Sequence, residues 1–236
     1  MNDWPFAEPL TPSMQVEPTP LQVQLALPPN AAVIVAHPDD ETLWAGGMIL
    51  THPNYNWFIT ALCRKSDPER SHKFLQALQS YRATGAIADL DDGPEQIPLP
   101  TETVKESILE LLPDVSYDLI LTHAPDGEYT YHQRHKEVSQ AVIDLWLAGT
   151  IEAKELRLFA YEDAHGQRLP KAIENANCYL SYPRSILQEK YRIITEVYGF
   201  DRESWEARVT PQSEAFWCFD SPLFILSWLN GHKEGQ

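Results

Sequence analysis

From residue 31 onward, short continuous apolar runs alternate with stretches that have helical periodicity. Continuous apolar runs of this length are typical of parallel strands in a sheet that helices cover on both faces. The pattern predicts helices at about 42–50, 68–84, 101–112, 133–148 and 184–198, and strands at 31–36, 57–63, 86–90, 117–122 and 156–161. Five strands that alternate with helices predict an α/β fold with a doubly wound, mostly parallel sheet and helices on both faces.

Residues 1–30 differ in character from the rest of the chain. They contain seven of the 19 prolines, together with Thr, Ser and Glu, which predicts a Pro-rich N-terminal extension without helical structure. Within it, the alternation of apolar and polar residues at 21–27 fits an edge strand. The chain is aromatic from Trp217 on, and we expect this tail, with Phe219, Phe224 and Trp228, to pack against the body. Residues 31–236 are therefore expected to form a single domain.

The charge of the chain argues against two classes of partner. Eighteen Lys and Arg stand against 34 Asp and Glu, which gives a formal charge of −16 and a pI near 4.8. The resulting field repels nucleic-acid phosphates and anionic lipid, so we expect no nucleic-acid partner. No apolar run approaches the length of about 20 residues that spans a bilayer, so no membrane span is expected.

The cysteines and the basic residues bear on the compartment. Cys63, Cys178 and Cys218 are odd in number and far apart, so we expect reduced thiols rather than a disulfide framework or a thiolate metal site. No Lys or Arg precedes Arg64, a pattern that fits neither a secretory signal nor a transit peptide. The expected location is the cytoplasm.

One polar motif follows the first predicted strand, where a helix begins. It reads Ala-His-Pro-Asp-Asp-Glu over residues 36–41, and its His-x-Asp-Asp core would arise by chance roughly 0.03 times at this composition. Three acids within one turn repel each other, and a helix N-terminus offsets only part of that repulsion. A divalent cation would offset the rest. The alternative is that the acids only cap the helix.

A second motif, His132-Gln133-Arg134-His135, follows the fourth predicted strand. The spacing places both imidazoles on one side of a helical turn, but His-x-x-His arises by chance about 0.3 times here, so a pair of surface histidines explains it equally well.

Topology favours a common site for the two motifs. The first and fourth strands are neighbours in a 3-2-1-4-5 sheet, and ligands bind beyond their carboxyl ends. His37, Asp40 and His135 would then form a two-His, one-carboxylate set that suits an open zinc site, or non-haem Fe²⁺. His123, at the end of the fourth run, is a rival third ligand or a substrate contact.

These residues resemble the LmbE/PIG-L family of zinc-dependent N-deacetylases. The resemblance spans about residues 31–163 and is carried by the motif ending in Ala-His-Pro-Asp-Asp-Glu, by residues 43–47, and by a later His-x-x-His in a Thr-His…Gly-Glu-Tyr context. It implies a Rossmann-like catalytic domain that binds zinc through His37, Asp40 and His135. It also implies Asp39 as general base and His132 as the group that faces the reacting carbonyl. Substrates of the family are mostly N-acylated sugars, including N-acetylglucosaminyl conjugates.

The chain departs from the family pattern beside His132. The family often has His-Pro-Asp-His, whereas Gln133 and Arg134 stand here, so the charge and orientation of His132 are left open. Arg134 could instead reach an anionic substrate group, as could Arg64 and Arg70, the latter by its resemblance to a substrate-facing Arg of the family. Arg64 and Arg70 belong to a basic cluster with Lys65 and Lys73, which a solvated helix start explains equally well. The segment 89–96 is interpreted as an acidic turn, with a pocket wall as the alternative.

The sequence thus predicts a zinc-dependent hydrolase that removes an N-acyl group, here acetyl, from an amino sugar or sugar conjugate. Two alternatives stay open. One is an amidase that acts on a different N-acyl or thiol conjugate, and the other is a non-catalytic module that binds a metal or a sugar.

Overall fold

The structure is a computed structural model that describes residues 27–129 and 132–234. Apart from Leu27, the edge strand predicted at 21–27 lies outside the described residues. The strands are β1 (Asn30–Val35), β2 (Asn56–Cys63), β3 (Thr84–Leu90), β4 (Leu119–Thr122), β5 (Leu156–Phe159), β6 (Tyr161–Glu162), β7 (Lys171–Ala172), β8 (Cys178–Ser181) and β9 (Ser213–Phe219). The helices are α1 (Asp40–Thr51), α2 (Pro68–Tyr81), α3 (Thr101–Leu111), α4 (Gln133–Leu147), α5 (Arg184–Arg192), α6 (Trp205–Val209) and α7 (Pro222–Glu234).

Seven of these strands form one sheet in the order β3-β2-β1-β4-β5-β9-β8, and β6 pairs with β7 separately. The first five strands of that order are parallel, whereas β9 is antiparallel to both β5 and β8. In the centre, Val33 of β1 lies beside Ile59 of β2 and Leu121 of β4. The predicted 3-2-1-4-5 order of a mostly parallel sheet is confirmed.

Helices cover both faces of the sheet because successive residues of each buried strand point to opposite sides. Val33 belongs to a core with residues of α1, α2 and the π-helical turn Ile193–Val197, whereas Ile34 belongs to a core with residues of α3, α4 and α7. Both strand residues are fully buried, which explains why β1 has no alternation of polar and apolar positions. The doubly wound α/β class is thereby confirmed.

Some boundaries and contacts differ from the expectations. The helix predicted at 184–198 is α-helical only to Arg192 and continues as the π-helical turn. In the aromatic tail, Phe219 is buried and its ring centroid lies 5.4 Å from that of Trp228. Phe224 is 64% exposed, so the expectation that it packs against the body is wrong, because it lies on an outer face of α7.

Within the part of the chain that the structure describes, no helix combines the length and apolarity that crossing a bilayer requires. The extension at 1–30 and the single domain at 31–236 stay predictions.

Candidate metal centre and active site

The site lies where two neighbouring central strands end. After β1, the chain turns through His37 and Asp39 into α1, and after β4 it reaches α4, whose N-cap is His132. Because β1 and β4 are adjacent and parallel, the first turns of α1 and α4 meet at the same edge of the sheet. The ring centroids of His37 and His135 are consequently only 5.3 Å apart.

Three donor atoms converge at this edge. Nδ1 of His37 lies 3.1 Å from Oδ2 of Asp40, and Nε2 of His135 lies 3.3 Å from both of these atoms. Donors around a tetrahedral zinc ion, with bonds of about 2.0–2.1 Å, lie about 3.3 Å from one another. The backbone N–H of His37 and the indole N–H of Trp44 donate to Asp40 and hold its carboxylate in place. This donor triangle fits a zinc ion, and an Fe²⁺ ion uses the same ligand types.

A carboxylate stands behind each imidazole of the donor triangle. Nδ1 of His135 lies 2.5 Å from Oε2 of Glu128, and Nε2 of His37 lies 3.2 Å from Oδ1 of Asp92. Burial disfavours charge on His135, but Asp40 and Glu128 outweigh it and raise the pKa of His135 to about 10. Carboxylates on the outer ring nitrogens are characteristic of metal-binding histidines, because they fix the tautomer and strengthen the donor.

Asp39 is the acid that lies beside the donor triangle without being part of it. It is the N-cap of α1 and has φ 114°, a strained conformation for a residue with a side chain. Its backbone N–H donates to Glu41, and Arg70 donates to both the carbonyl of Pro38 and Oδ2 of Asp39, at 3.0 and 3.2 Å. Burial raises the pKa of Asp39 to about 8, against the opposing effect of Arg70. Asp39 is thus held at a fixed position facing the cavity.

His132 faces the same cavity. Its ring centroid lies 4.2 Å from that of His135 and 4.6 Å from that of His37, and among the described residues its Nδ1 is buried without a hydrogen-bond partner. Burial and the two neighbouring histidines lower the pKa of His132 to about 3. Both effects favour the neutral form of the His132 imidazole.

The cavity has a volume of about 460 Å³. Of the residues already described, it is lined by His37, Asp39, Asp40, Arg70, Asp92 and His132. Its walls also include Arg64, Tyr129, Trp205 and Glu206. The rings of Tyr129 and Trp205 contact each other, with centroids 4.8 Å apart. Sequence reasoning missed Trp205 and Glu206, since α6 follows no motif and reaches the site only through tertiary packing. It also gave no role to Glu128, although Glu128 lies in the Gly-Glu-Tyr segment that carried the resemblance.

Two of the residues predicted to contact a substrate are buried among other residues of the chain. Arg134 is 1% exposed and donates to Glu137 and to the backbone carbonyls of Asp91 and Ile97, so it cannot reach a substrate. His123 is fully buried; the N–H of Ala36 donates to its Nε2, and its Nδ1 lies 2.8 Å from Glu128. Burial leaves His123 no access to a substrate. Its Nε2 lies 3.6 Å from Oδ2 of Asp40, and His123 forms a possible donor group with Asp40 and His135, so its role as the rival third ligand stays a prediction.

Arg64 and Arg70 do line the cavity, but both are neutralised within the chain. Arg64 lies 2.5 Å from Asp92, and Arg70 lies 3.2 Å from Asp39. Asp92 belongs to the segment 89–96, for which a turn was the favoured interpretation. The backbone N–H of Gln96 does donate to the carbonyl of Gly93 in a turn. Asp92, however, lines the cavity, so the alternative interpretation of the segment, a pocket wall, describes this residue.

The chain is thus a doubly wound α/β protein with a candidate metal centre at the carboxyl edge of its sheet. Residues 32–146 match the family model PIG-L: GlcNAc-PI de-N-acetylase. This match confirms the resemblance of these residues to the PIG-L/LmbE family, and it supports a hydrolase of the deacetylase type.

The other similar proteins are distant. An uncharacterized protein of Acanthamoeba polyphaga mimivirus, L374, is 25% identical over 127 residues, which cover 48% of this chain and 56% of the viral protein. The match therefore spans little more than half of that relative. N,N'-diacetylchitobiose deacetylase from Pyrococcus horikoshii has a similar structure, with a TM-score of 0.62 at 15% identity over 83% of this chain and 85% of that chain. The 4-carboxy-2-hydroxymuconate hydratase GalB from Pseudomonas putida KT2440 gives a TM-score of 0.55 at 14% identity, over 80% and 95%. These structures share the fold, and because one is a deacetylase and the other a hydratase, the fold alone does not choose the reaction.

Proposed function

We propose that the protein is a zinc-dependent N-deacetylase that hydrolyses the acetamide of an amino sugar or sugar conjugate. The proposal rests on one observation: His37 and Asp40 of the donor triangle line the same cavity as Asp39, an acid that stands outside the triangle. A metal-binding module has no need of an acid outside its ligand set, whereas amide hydrolysis requires a general base. The family model, whose description names a de-N-acetylase, supports the same reaction.

His37, Asp40 and His135 would hold the metal in this proposal. A bound zinc ion supplies a Lewis acid that polarises the amide carbonyl and makes water more acidic. Fe²⁺ could occupy the same ligands, so the metal itself must be measured.

Asp39 would accept the proton from the attacking water and return it to the departing amine. Arg70 holds one oxygen of its carboxylate, and the Glu41 carboxylate holds its backbone N–H, so the acid stays aimed at the cavity. Fixing the base in this way removes part of the entropic cost of reaching the transition state.

His132 would donate an N–H to the oxygen that becomes negative as water attacks the carbonyl. A donor placed at that position is typically worth about 3 kcal/mol of transition-state stabilisation. Tyr129 and Trp205, whose rings stand at the wall of the cavity, would pack against the apolar face of a sugar ring.

The test is a panel of N-acetylated amino sugars, their conjugates and simple amines, assayed for released acetate, with bound metal measured on each protein. We expect Asp39→Asn to keep the metal and to lose activity by about 10²–10⁴-fold, because only the base is removed. Asp40→Ala should lose the metal.

Full activity in Asp39→Asn, or stoichiometric metal in Asp40→Ala, would show that these roles are wrongly assigned. If the wild type holds zinc yet releases no acid from any acyl compound, the binding module becomes the better description. Release from another acyl or thiol conjugate alone would favour the second enzyme alternative. The cytoplasmic location stays a prediction.

A further inference from the structure

We propose that Asp92 is a positioning residue that fixes the tautomer of His37 and thereby tightens metal binding at the donor triangle. This inference rests on the proposed function only in assuming that the donor triangle binds a metal. Asp92 lies in the segment 89–96 between β3 and α3, away from both histidine motifs.

The carboxylate of Asp92 is held rigidly although it belongs to a loop. Its side chain is 6% exposed, and its Oδ2 lies 2.5 Å from the guanidinium of Arg64. The side-chain amide of Gln96 donates to Oδ1 at 2.9 Å. Arg64 itself follows β2 directly and has φ 75°, so the backbone at the end of the strand aims it toward this loop. Asp92 is therefore fixed between a cation, an amide and the ring of His37.

The geometry at His37 gives Asp92 its role. Nδ1 of His37 belongs to the donor triangle, which leaves Nε2 on the far side of the ring, 3.2 Å from Oδ1 of Asp92. Among the described residues, the buried Nε2 has no hydrogen-bond partner, so its contact with Asp92 is an electrostatic interaction rather than a hydrogen bond. A negative charge at this distance favours the proton on Nε2 and leaves the lone pair of Nδ1 for the metal.

His135 also has a carboxylate at its outer nitrogen, since Glu128 lies within hydrogen-bond distance of its Nδ1. Each histidine of the donor triangle thus has its own acid. The acid of His135 is close to it in sequence, whereas the acid of His37 comes from a distant loop, 55 positions further along the chain.

Asp92→Asn and its matched control Asp91→Asn test this inference. Both variants remove one negative charge from the same loop, but the Asp91 carboxylate is 62% exposed and pairs with Arg134 at 3.5 Å, away from the histidines. Zinc affinity is measured by competition with a chromophoric chelator, and the visible spectrum of the Co²⁺-loaded protein reports the ligand field. We expect Asp92→Asn to weaken zinc binding by about 10–100-fold and to alter the Co²⁺ spectrum, with Asp91→Asn unchanged in both. Circular dichroism of the metal-free proteins checks that both variants fold.

The outcomes separate this inference from the proposed function. A wild type that binds no zinc defeats both. Equal zinc affinity in the wild type and Asp92→Asn overturns the role of Asp92 and leaves the deacetylase proposal intact. An unchanged affinity with a raised KM would show that Asp92 contacts substrate instead, which also overturns the inference.

Discussion

The three consecutive acids of the first motif each have their own partners. Asp39 faces Arg70, and Asp40 faces two imidazoles, His37 and His135. Glu41 is fully buried and accepts hydrogen bonds from the hydroxyls of Thr42 and Tyr198 as well as from the N–H of Asp39. Repulsion among the acids was the sequence argument for a cation, and the protein already offsets much of it. The case for a metal therefore depends on the spacing of the donor triangle rather than on unpaired charge.

His132 provides a prediction at the scale of one residue. His132→Gln should lower kcat by about 10²–10³-fold with little change in KM, because a donor to the oxyanion acts mainly in the transition state. Bound metal should remain at the wild-type level, since the donor triangle does not include His132. Steady-state kinetics with metal analysis measure both quantities. His72→Gln, on the exposed face of α2, is the control and should behave like the wild type. A loss of metal in His132→Gln would instead indicate that this imidazole is a ligand.

The elements of the fold divide into those that local pattern could predict and those that it could not. The five parallel strands and their helices were predictable because strands buried on both faces give continuous apolar runs, while the covering helices are amphipathic. β8 and β9 extend the sheet in the antiparallel direction and were not predicted, since their pairing depends on residues far apart in sequence.

The same division holds for the site. The donor triangle could be anticipated because residues that follow adjacent parallel strands must meet at one edge. Asp92 and Trp205 could not, because loop conformation and the packing of α6 decide where their side chains lie. Arg134 carries a charge that suits an anionic substrate group, yet its side chain donates to the backbone carbonyls of Asp91 and Ile97. The spacing of residues in the sequence does not predict the direction of such a side chain.

One buried carboxylate joins three elements of the fold. Glu214 of β9 accepts hydrogen bonds from the N–H groups of Gly47 and Met48 in α1, from Tyr182, and from Lys190 in α5, the last at 2.6 Å. Glu214 and Lys190 are both fully buried. Burial lowers the pKa of Lys190 and Glu214 opposes that shift, so the ammonium depends on its partner.

Glu214→Gln should therefore lower the free energy of unfolding by about 3–5 kcal/mol, because the substitution leaves a buried charge without its counterion. Glu189→Gln is the matched control, since its partner Arg192 is at the surface and the exposed pair contributes at most about 1 kcal/mol. Chemical denaturation of the two variants and the wild type gives the comparison. Similar losses of unfolding free energy in both variants would show that the buried pair of Glu214 and Lys190 contributes no more than the exposed pair.

The net negative charge of the protein opposes the binding of an anionic substrate. The chain carries a formal charge of −16, and the cavity wall includes Asp67 and Glu206 as well as the acids described above. The two arginines at the wall are already paired with acids, so they offer no free positive charge to a phosphate or a carboxylate. The sequence-based expectation that these arginines hold an anionic group therefore loses its physical basis, and a neutral or cationic acyl compound fits the cavity better.

The negative charge around the cavity should make substrate specificity depend on salt. For a matched pair of N-acetylated sugars, one neutral and one bearing a phosphate, kcat/KM for the phosphate compound should be about 10-fold lower at low ionic strength. Added salt should raise kcat/KM of the phosphate compound toward that of the neutral compound. The reason is that salt screens the repulsion, with a Debye length of about 8 Å at 0.15 M. The neutral compound controls for general effects of salt on the enzyme and should change little. If salt instead lowers kcat/KM for the phosphate compound, an arginine must leave its acid to bind the anion, and the ion pairs of Arg64 and Arg70 would then be exchangeable parts of the substrate site.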